Sequence, residues 1–188
     1  MAVTVRPYQK KDRAYVEQIC IATAGPGFAE TPYRERAAVA AFCRYFITHC
    51  PETCFVAADG SDIPVGYILC APSFADWCRY APEQFLSGFP FGLLWSIGSM
   101  LGAVAYLKQY PAHLHINLLP TYQRQGLGGQ LMQALEQELR QRNCSGVSLC
   151  VDKHNHGAIR FYESCGFRIL GRHPGSVAYG KILNEARR

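Results

Sequence analysis

The chain has 188 residues, 49% of them hydrophobic and 18% charged, with a formal net charge of +5. That length and apolar content predict a single domain, residues 1–188, around a sizeable core, and they exclude an intrinsically disordered chain. The basic excess is small and scattered, so a nucleic-acid partner is not expected, whereas a phosphorylated small molecule would suit it.

In chain order, residues 3–6 alternate polar and apolar side chains and read as a first strand. Residues 10–23 carry Ala14, Val16, Ile19 and Cys20 on one helical face, and Gly25-Pro26-Gly27 ends that helix. A second, alanine-rich helix is expected over 33–49, with Pro51 beyond its end. Residues 54–58 and 64–69 are strands joined by Asp59-Gly60-Ser61-Asp62, a hairpin. A strand at 113–119 stops at Pro120. Leu127, Leu131, Leu135 and Leu139 then recur every four residues in an amphipathic helix over 126–142. A buried strand at 147–151 and a helix at 158–165, closed by Gly166, follow. Strands at 167–170 and 177–182 finish an α/β chain with a mixed central sheet flanked by helices.

Residues 85–107 contain no charged side chain for 23 positions, a run long enough to cross a bilayer. The strands at 64–69 and 113–119 should be neighbours in one sheet, and a single crossing would put their facing ends on opposite sides of a membrane. Pro90 and glycines 88, 92, 98 and 102 also interrupt the run. The expectation is therefore a helical insert at about 72–111 without stable membrane insertion. It could cover the core, wall a binding pocket or form a homodimer surface, and the Gly98/Gly102 spacing would permit close helix packing.

The nine cysteines are odd in number, include no CxxC pair, and follow an N-terminal MAVTVRPYQKK without an apolar signal core. Cys50 and Cys54 lack the second ligand pair of a zinc site, so no metal is expected. Cys20, Cys43, Cys70, Cys150 and Cys165 read as small buried hydrophobes, consistent with a reducing cytoplasm. The terminal Arg187-Arg188 pair reads as a solvated tail.

The strongest chemical signal follows the 113–119 strand. Gln123-Arg124-Gln125-Gly126-Leu127-Gly128-Gly129 opens a long helix with glycines in its first turn. Such a start offers unpaired N–H groups and partial positive charge to an anion. It has neither the GxxxxGK[ST] pattern nor the third glycine of GxGxxG, because position 131 is Leu.

With Gln123, Gly126 and Gly128 in [QR]-x-x-G-x-[GA], this strand-turn-helix resembles the central motif of the GNAT acetyltransferase family. A second stretch, Asn155, Ala158, Phe161, Tyr162, Gly166 and Phe167, resembles that family's later signature N-x-x-A-x-x-[LF]-Y-x-x-x-G-F. The resemblance implies the GNAT acyl-CoA N-acyltransferase fold, with acetyl-CoA as acyl donor and an amine as acceptor. It implies cofactor contacts from Gln123, Arg124, Gln125, Gly126, Leu127, Gly128 and Gly129 at the pyrophosphate. Backbone N–H groups of Ile116, Asn117 and Leu118 would meet the acyl arm where the central strands splay. Asn155 would hydrogen-bond pantetheine or cap a loop, and Phe161 would pack beside it.

Tyr162 matches the family's proposed proton donor to the CoA sulfur, or it packs as an aromatic under the cofactor. His115 could serve as the base, or it is a core histidine, since His113, His115 and Asn117 share one strand face without an acid. Asp152, Asp76 and Glu30 are further candidate bases. His113-Leu114-His115-Ile116-Asn117-Leu118-Leu119-Pro120 also looks like the acetyltransferase-like domain of O-GlcNAcase-type proteins and their bacterial relatives. Some members of that group have lost their cofactor-binding residues, so a non-catalytic acyl-CoA-binding scaffold is the alternative. Phe28, Tyr33, Phe74, Trp77 and Tyr80 could line the acceptor pocket or belong to the core.

Overall fold

The computed structural model describes residues 2–25, 30–86 and 106–184, except for the side chains of 81–86. Strand β1 (Thr4–Pro7) leads through a 3-10 turn (Lys10–Asp12) into α1 (Arg13–Ala22). Helix α2 (Pro32–Val39) starts at Thr31, whose hydroxyl accepts from the N–H of Arg34, with Pro32 in the first turn where its missing N–H costs nothing. Then come β2 (Phe55–Ala58), β3 (Pro64–Ala71), α4 (Phe74–Leu86), β4 (Ala112–Leu118), α5 (Leu127–Gln141), β5 (Gly146–Asp152), α6 (His156–Ser164), β6 (Arg168–Arg172) and β7 (Ser176–Ile182).

The expected single helix over 33–49 is interrupted. After α2 the chain makes a π turn (Ala40–Arg44) before α3 (Tyr45–His49). An inserted residue of this kind changes which side chains face inward without breaking the helix. The first helix begins later than residue 10 because the 3-10 turn precedes it, and α6 begins at His156 rather than 158 because Asn155 is its cap.

The seven strands lie in the order β1-β2-β3-β4-β5-β7-β6, and every pairing is antiparallel except β4 with β5. As expected, β3 and β4 are sheet neighbours, with Gly66 opposite Leu118 and Ala71 opposite His113. The parallel pair is very short, holding only Ala112 with Val147 and His113 with Ser148. Beyond these two rungs β4 and β5 part.

Side-chain alternation divides the core by sheet face. Tyr67 and Leu69 pack with Val16, Phe46, Phe74 and Trp77 on one side. Ile68, Leu114 and Leu149 pack with Leu131, Leu135 and Leu139 of α5 on the other. Both faces of β3 are covered, which is why its eight residues are all buried. Cys20, Cys43 and Cys70 lie in these cores, but Cys150 and Cys165 are only half-buried, correcting the reading that all five are buried.

Helix α4 opens the expected insert, and residues 106–111 close it. The Tyr106 hydroxyl donates to the Leu170 carbonyl at 2.7 Å, and the ring of Tyr110 lies against Gly180, so this end is fastened to β6 and β7. The intervening 87–105 segment, with its Gly98/Gly102 spacing, lies outside the described residues, as do Phe28 and Arg187-Arg188. No described helix is long and apolar enough to cross a membrane.

Candidate functional site

The chain leaves β4 through Leu119, whose N–H donates to Val65, and a 3-10 turn (Pro120–Tyr122) reverses it toward α5. Two side-chain amides brace the turn from within: Gln123 Nε2 donates to Leu118 O at 2.9 Å, and Gln125 Nε2 to Thr121 O at 2.8 Å. Arg124 and Gly126 both lie in the left-handed region, at φ 59° and 81°. Positive φ at alternate positions curls successive N–H groups toward a common centre.

The N–H groups of residues 124–129 have no hydrogen-bond partner among the described residues, and the Gly126 cap supplies none. Six consecutive free donors at a helix start fit a diphosphate, whose oxygens can accept all of them. Gly128 has a second role: a β-carbon there would stand 3.1 Å from the ring of Phe161, so the glycine lets α5 and α6 approach. The same position faces Leu118, which places Phe161 and Leu118 together at one mouth of the parted strands.

Register decides which backbone groups of β4 face that gap. Because Leu119 bonds to Val65, the two-residue alternation of an antiparallel ladder directs Asn117, His115 and His113 toward β3. The N–H and C=O groups of Ile116 and Leu118 then point toward β5, where no described strand meets them and only the Leu118 C=O is taken, by Gln123. Of the three residues expected to present N–H groups there, Asn117 does not. Its amide side chain donates instead to the hydroxyl of buried Tyr67 at 2.8 Å, on the α1–α3 side of the sheet.

Asn155 Oδ1 accepts from the N–H of Ala158 at 3.0 Å, so the side chain caps α6, and its Nδ2 takes no part in that cap. Tyr162, in the last turn of α6, is buried against Phe161, Phe167 and Tyr179, and its hydroxyl has no hydrogen-bond partner among the described residues. Burial pushes its phenol above the ordinary value, which keeps it protonated at neutral pH.

On the opposite face, His115 lies edge-on to Phe42 and Phe46, each at a ring distance of 5.2 Å, and to His113 at 5.3 Å. Removal from water lowers its pKa from 6.5 to about 4, so the imidazole is neutral near pH 7. His113 is stacked on Phe74 at 4.3 Å, its Nδ1 buried without a partner, and burial holds it well below its usual value too. Across the gap, Val147, Leu149 and Val151 face α5 and α6, so alternation puts Ser148, Cys150 and Asp152 on the His115 side.

The candidate carboxylates lie apart from this cluster or at its edge. Glu30 is paired with Arg34 and Asp76 with Arg79, each one turn away. Asp152, exposed at the C-terminal end of β5, accepts from the N–H of His154 at 2.7 Å. Among the aromatics considered for an acceptor pocket, Phe74 and Trp77 are core, while Tyr33 and Tyr80 are exposed, Tyr80 stacking on His49. No cluster of metal-ligating side chains occurs among the described residues.

Residues 17–167 match the model of the acetyltransferase (GNAT) family. The chain belongs to that family. The crystal structure of SsHAT superposes on this GNAT chain with a TM-score of 0.84 at 30% identity, covering 98% of this chain and 100% of that one. The PaiA N-acetyltransferase from Thermoplasma acidophilum, solved in complex with coenzyme A, shares the fold at 14% identity and a TM-score of 0.63, over 97% of this chain and 99% of its own.

Among curated proteins, YxbD of Bacillus subtilis (strain 168), itself uncharacterized, is 27% identical over 79 residues, 42% of this chain and 50% of its own length. The [ribosomal protein bS18]-alanine N-acetyltransferase of Escherichia coli (strain K12) is 48% identical over 48 residues, 26% of this chain and 32% of its own. The GNAT chain thus spans about half the length of the first curated relatives it matches, 50% and 54%.

Three residues of this GNAT site escape sequence reading. Phe42 in the π turn and Phe46 in α3 are four apart, a spacing that signals one face but not that the face meets His115. Tyr67 was legible as a strand residue, and only the β3–β4 register, which sets it opposite Asn117, makes it that side chain's partner.

Proposed function

We propose that this protein is an acetyl-CoA-dependent N-acetyltransferase that passes the acetyl group directly to a primary amine. The observation carrying this reading is the coincidence of six unpaired N–H groups at residues 124–129 with the parting of β4 from β5 immediately before them. The turn would hold the CoA diphosphate, and Ile116 and Leu118 would hydrogen-bond the extended arm in the gap.

In that pose the free N–H groups of β4 stabilise negative charge developing on the thioester oxygen. The amine lone pair attacks the carbonyl carbon, the C–N bond forms and the C–S bond breaks. The departing thiolate takes the proton of Tyr162, which is regained from solvent, and the nitrogen loses one proton to water. Nine free cysteines suit a reducing compartment, and we place the protein in the cytoplasm. The match to a bS18-alanine N-acetyltransferase brings a protein α-amine into the set of acceptors to try.

The test is CoA-thiol release from acetyl-CoA across an amine panel, alongside calorimetric binding of acetyl-CoA. Binding together with amine-dependent release is the expected result. Tight binding without release for any amine would make the protein an acyl-CoA-binding scaffold, and absence of binding would reject the reading altogether.

A further inference from the structure

Deprotonation of the acceptor is the step for which the site offers least. The chain contains 14 acidic residues. Among the described residues, eight are held in ion pairs, and Asp59 and Glu163 accept hydrogen bonds from Ser61, Ile63 and Tyr179. Glu35 sits in the first turn of α2, ahead of the π turn, and Asp152 is at the outer end of β5. Glu83 and Glu185 lie outside the described side chains, while segments 26–29 and 87–105 contain no charged residue in sequence.

Among the described side chains, what faces His115 is apolar or neutral. Phe42 comes from the π turn, Phe46 from α3, His113 from its own strand, Leu69 from β3 and Cys150 from across the gap. Among the described side chains no carboxylate meets the ring to stabilise an imidazolium. The Asn117 amide on the same face is committed to Tyr67. An alkylammonium reaching this surface finds aromatic edges and a neutral histidine.

Resting on the transferase reading above, we infer that the acceptor is a weakly basic primary amine of the peptide α-amino class, which sheds its proton to solvent before it reaches the gap. A peptide α-amine titrates near 8, so roughly a quarter of it is already neutral at pH 7.5, whereas a lysine ε-amine is neutral only about one part in a thousand. A site whose described side chains supply no internal base discriminates between them by about that ratio. His115, neutral with a pKa of about 4, is too weak a base to reverse it.

The test uses the full chain with saturating acetyl-CoA and four acceptors: two lysine-free peptides whose α-amines differ in pKa, an Nα-acetylated peptide with one lysine, and spermidine. At pH 7.5 kcat/KM for the free α-amines should exceed the lysine peptide and spermidine at least a hundredfold. Between pH 6 and 10, kcat/KM should rise tenfold per unit and level at each amine's own pKa, moving with the substrate. Preference for lysine or spermidine, or a profile levelling at one pH for every acceptor, overturns the inference while leaving the transferase reading intact. No release with any acceptor overturns both.

Discussion

The side-chain amide of Gln123 donates to the backbone carbonyl of Leu118 across 2.9 Å, so the turn at 123–129 is tied to the last residue of the splayed strand. The two halves of the site are thereby held at a fixed offset; in the proposed function one would contact phosphate and the other the acyl arm. Gln123→Ala removes one partly exposed hydrogen bond and should lower unfolding free energy by about 1 kcal/mol. Acetyl-CoA affinity should fall about tenfold, because the turn is no longer preorganised. Gln123→Glu should weaken binding more, since it sets a carboxylate against both the carbonyl and the diphosphate. Urea unfolding and titration calorimetry check the pair.

The left-handed residues of the turn separate backbone from side-chain effects. Gly126→Ala forces a β-carbon into φ 81° and should cost about 1–2 kcal/mol, with a loss of CoA affinity of at least tenfold. Arg124→Gly keeps the geometry and relieves the strain at φ 59°, so stability should be unchanged or higher by up to about 1 kcal/mol. Any affinity lost by Arg124→Gly then measures the guanidinium alone.

Tyr162→Phe removes one hydroxyl that has no partner in the described chain, so the fold should lose less than about 1 kcal/mol. If the phenol protonates the leaving thiolate, kcat should fall about a hundredfold or more while the Kd of acetyl-CoA stays within threefold. An equal loss in binding and turnover would mark Tyr162 as packing only.

Stability should depend on pH through buried His113 and half-buried His115. His115 titrates near 4 in the folded chain against 6.5 unfolded, and His113 is lowered as well. The unfolded chain therefore takes up protons first as pH falls. The neutral-histidine contribution is fully present above about pH 6.5 and is lost as pH drops toward 4, at about 1.4 kcal/mol per pH unit for each histidine. His115→Gln should flatten the slope of unfolding free energy between pH 6.5 and 4.5 by about one proton, as measured by urea titrations at each pH.

Much of this architecture was legible because its elements carry local signals. The leucines at 127, 131, 135 and 139 announce α5, and all four are buried. The strand interiors at Val56, Ile68 and Leu149 read as apolar runs and are buried too. What could not be read depends on register and on helix phase. The π turn at Ala40–Arg44 has no proline or glycine to betray it, yet Phe42 lies within it, and that residue contacts His115. Asn117 and Ile116 are adjacent in sequence, and only the pairing of Leu119 with Val65 directs the backbone N–H of one toward β3 and of the other toward the gap. Asn155 carried two readings, and its cap on Ala158 is the one the geometry displays.

The two-rung junction at Ala112–Val147 and His113–Ser148 also bears on mechanics. Strands β1 to β4 form one panel and β5 to β7 another, and backbone bonding between panels is confined to one end of the seam. Such a seam opens more readily than either panel unravels, so amide exchange at Ile116 and Leu118 should be faster than at Tyr67 or Tyr179 in the unliganded protein. A guest bonded along the open length would clasp the panels together. Exchange at those two amides would slow, and the melting temperature would rise with guest concentration.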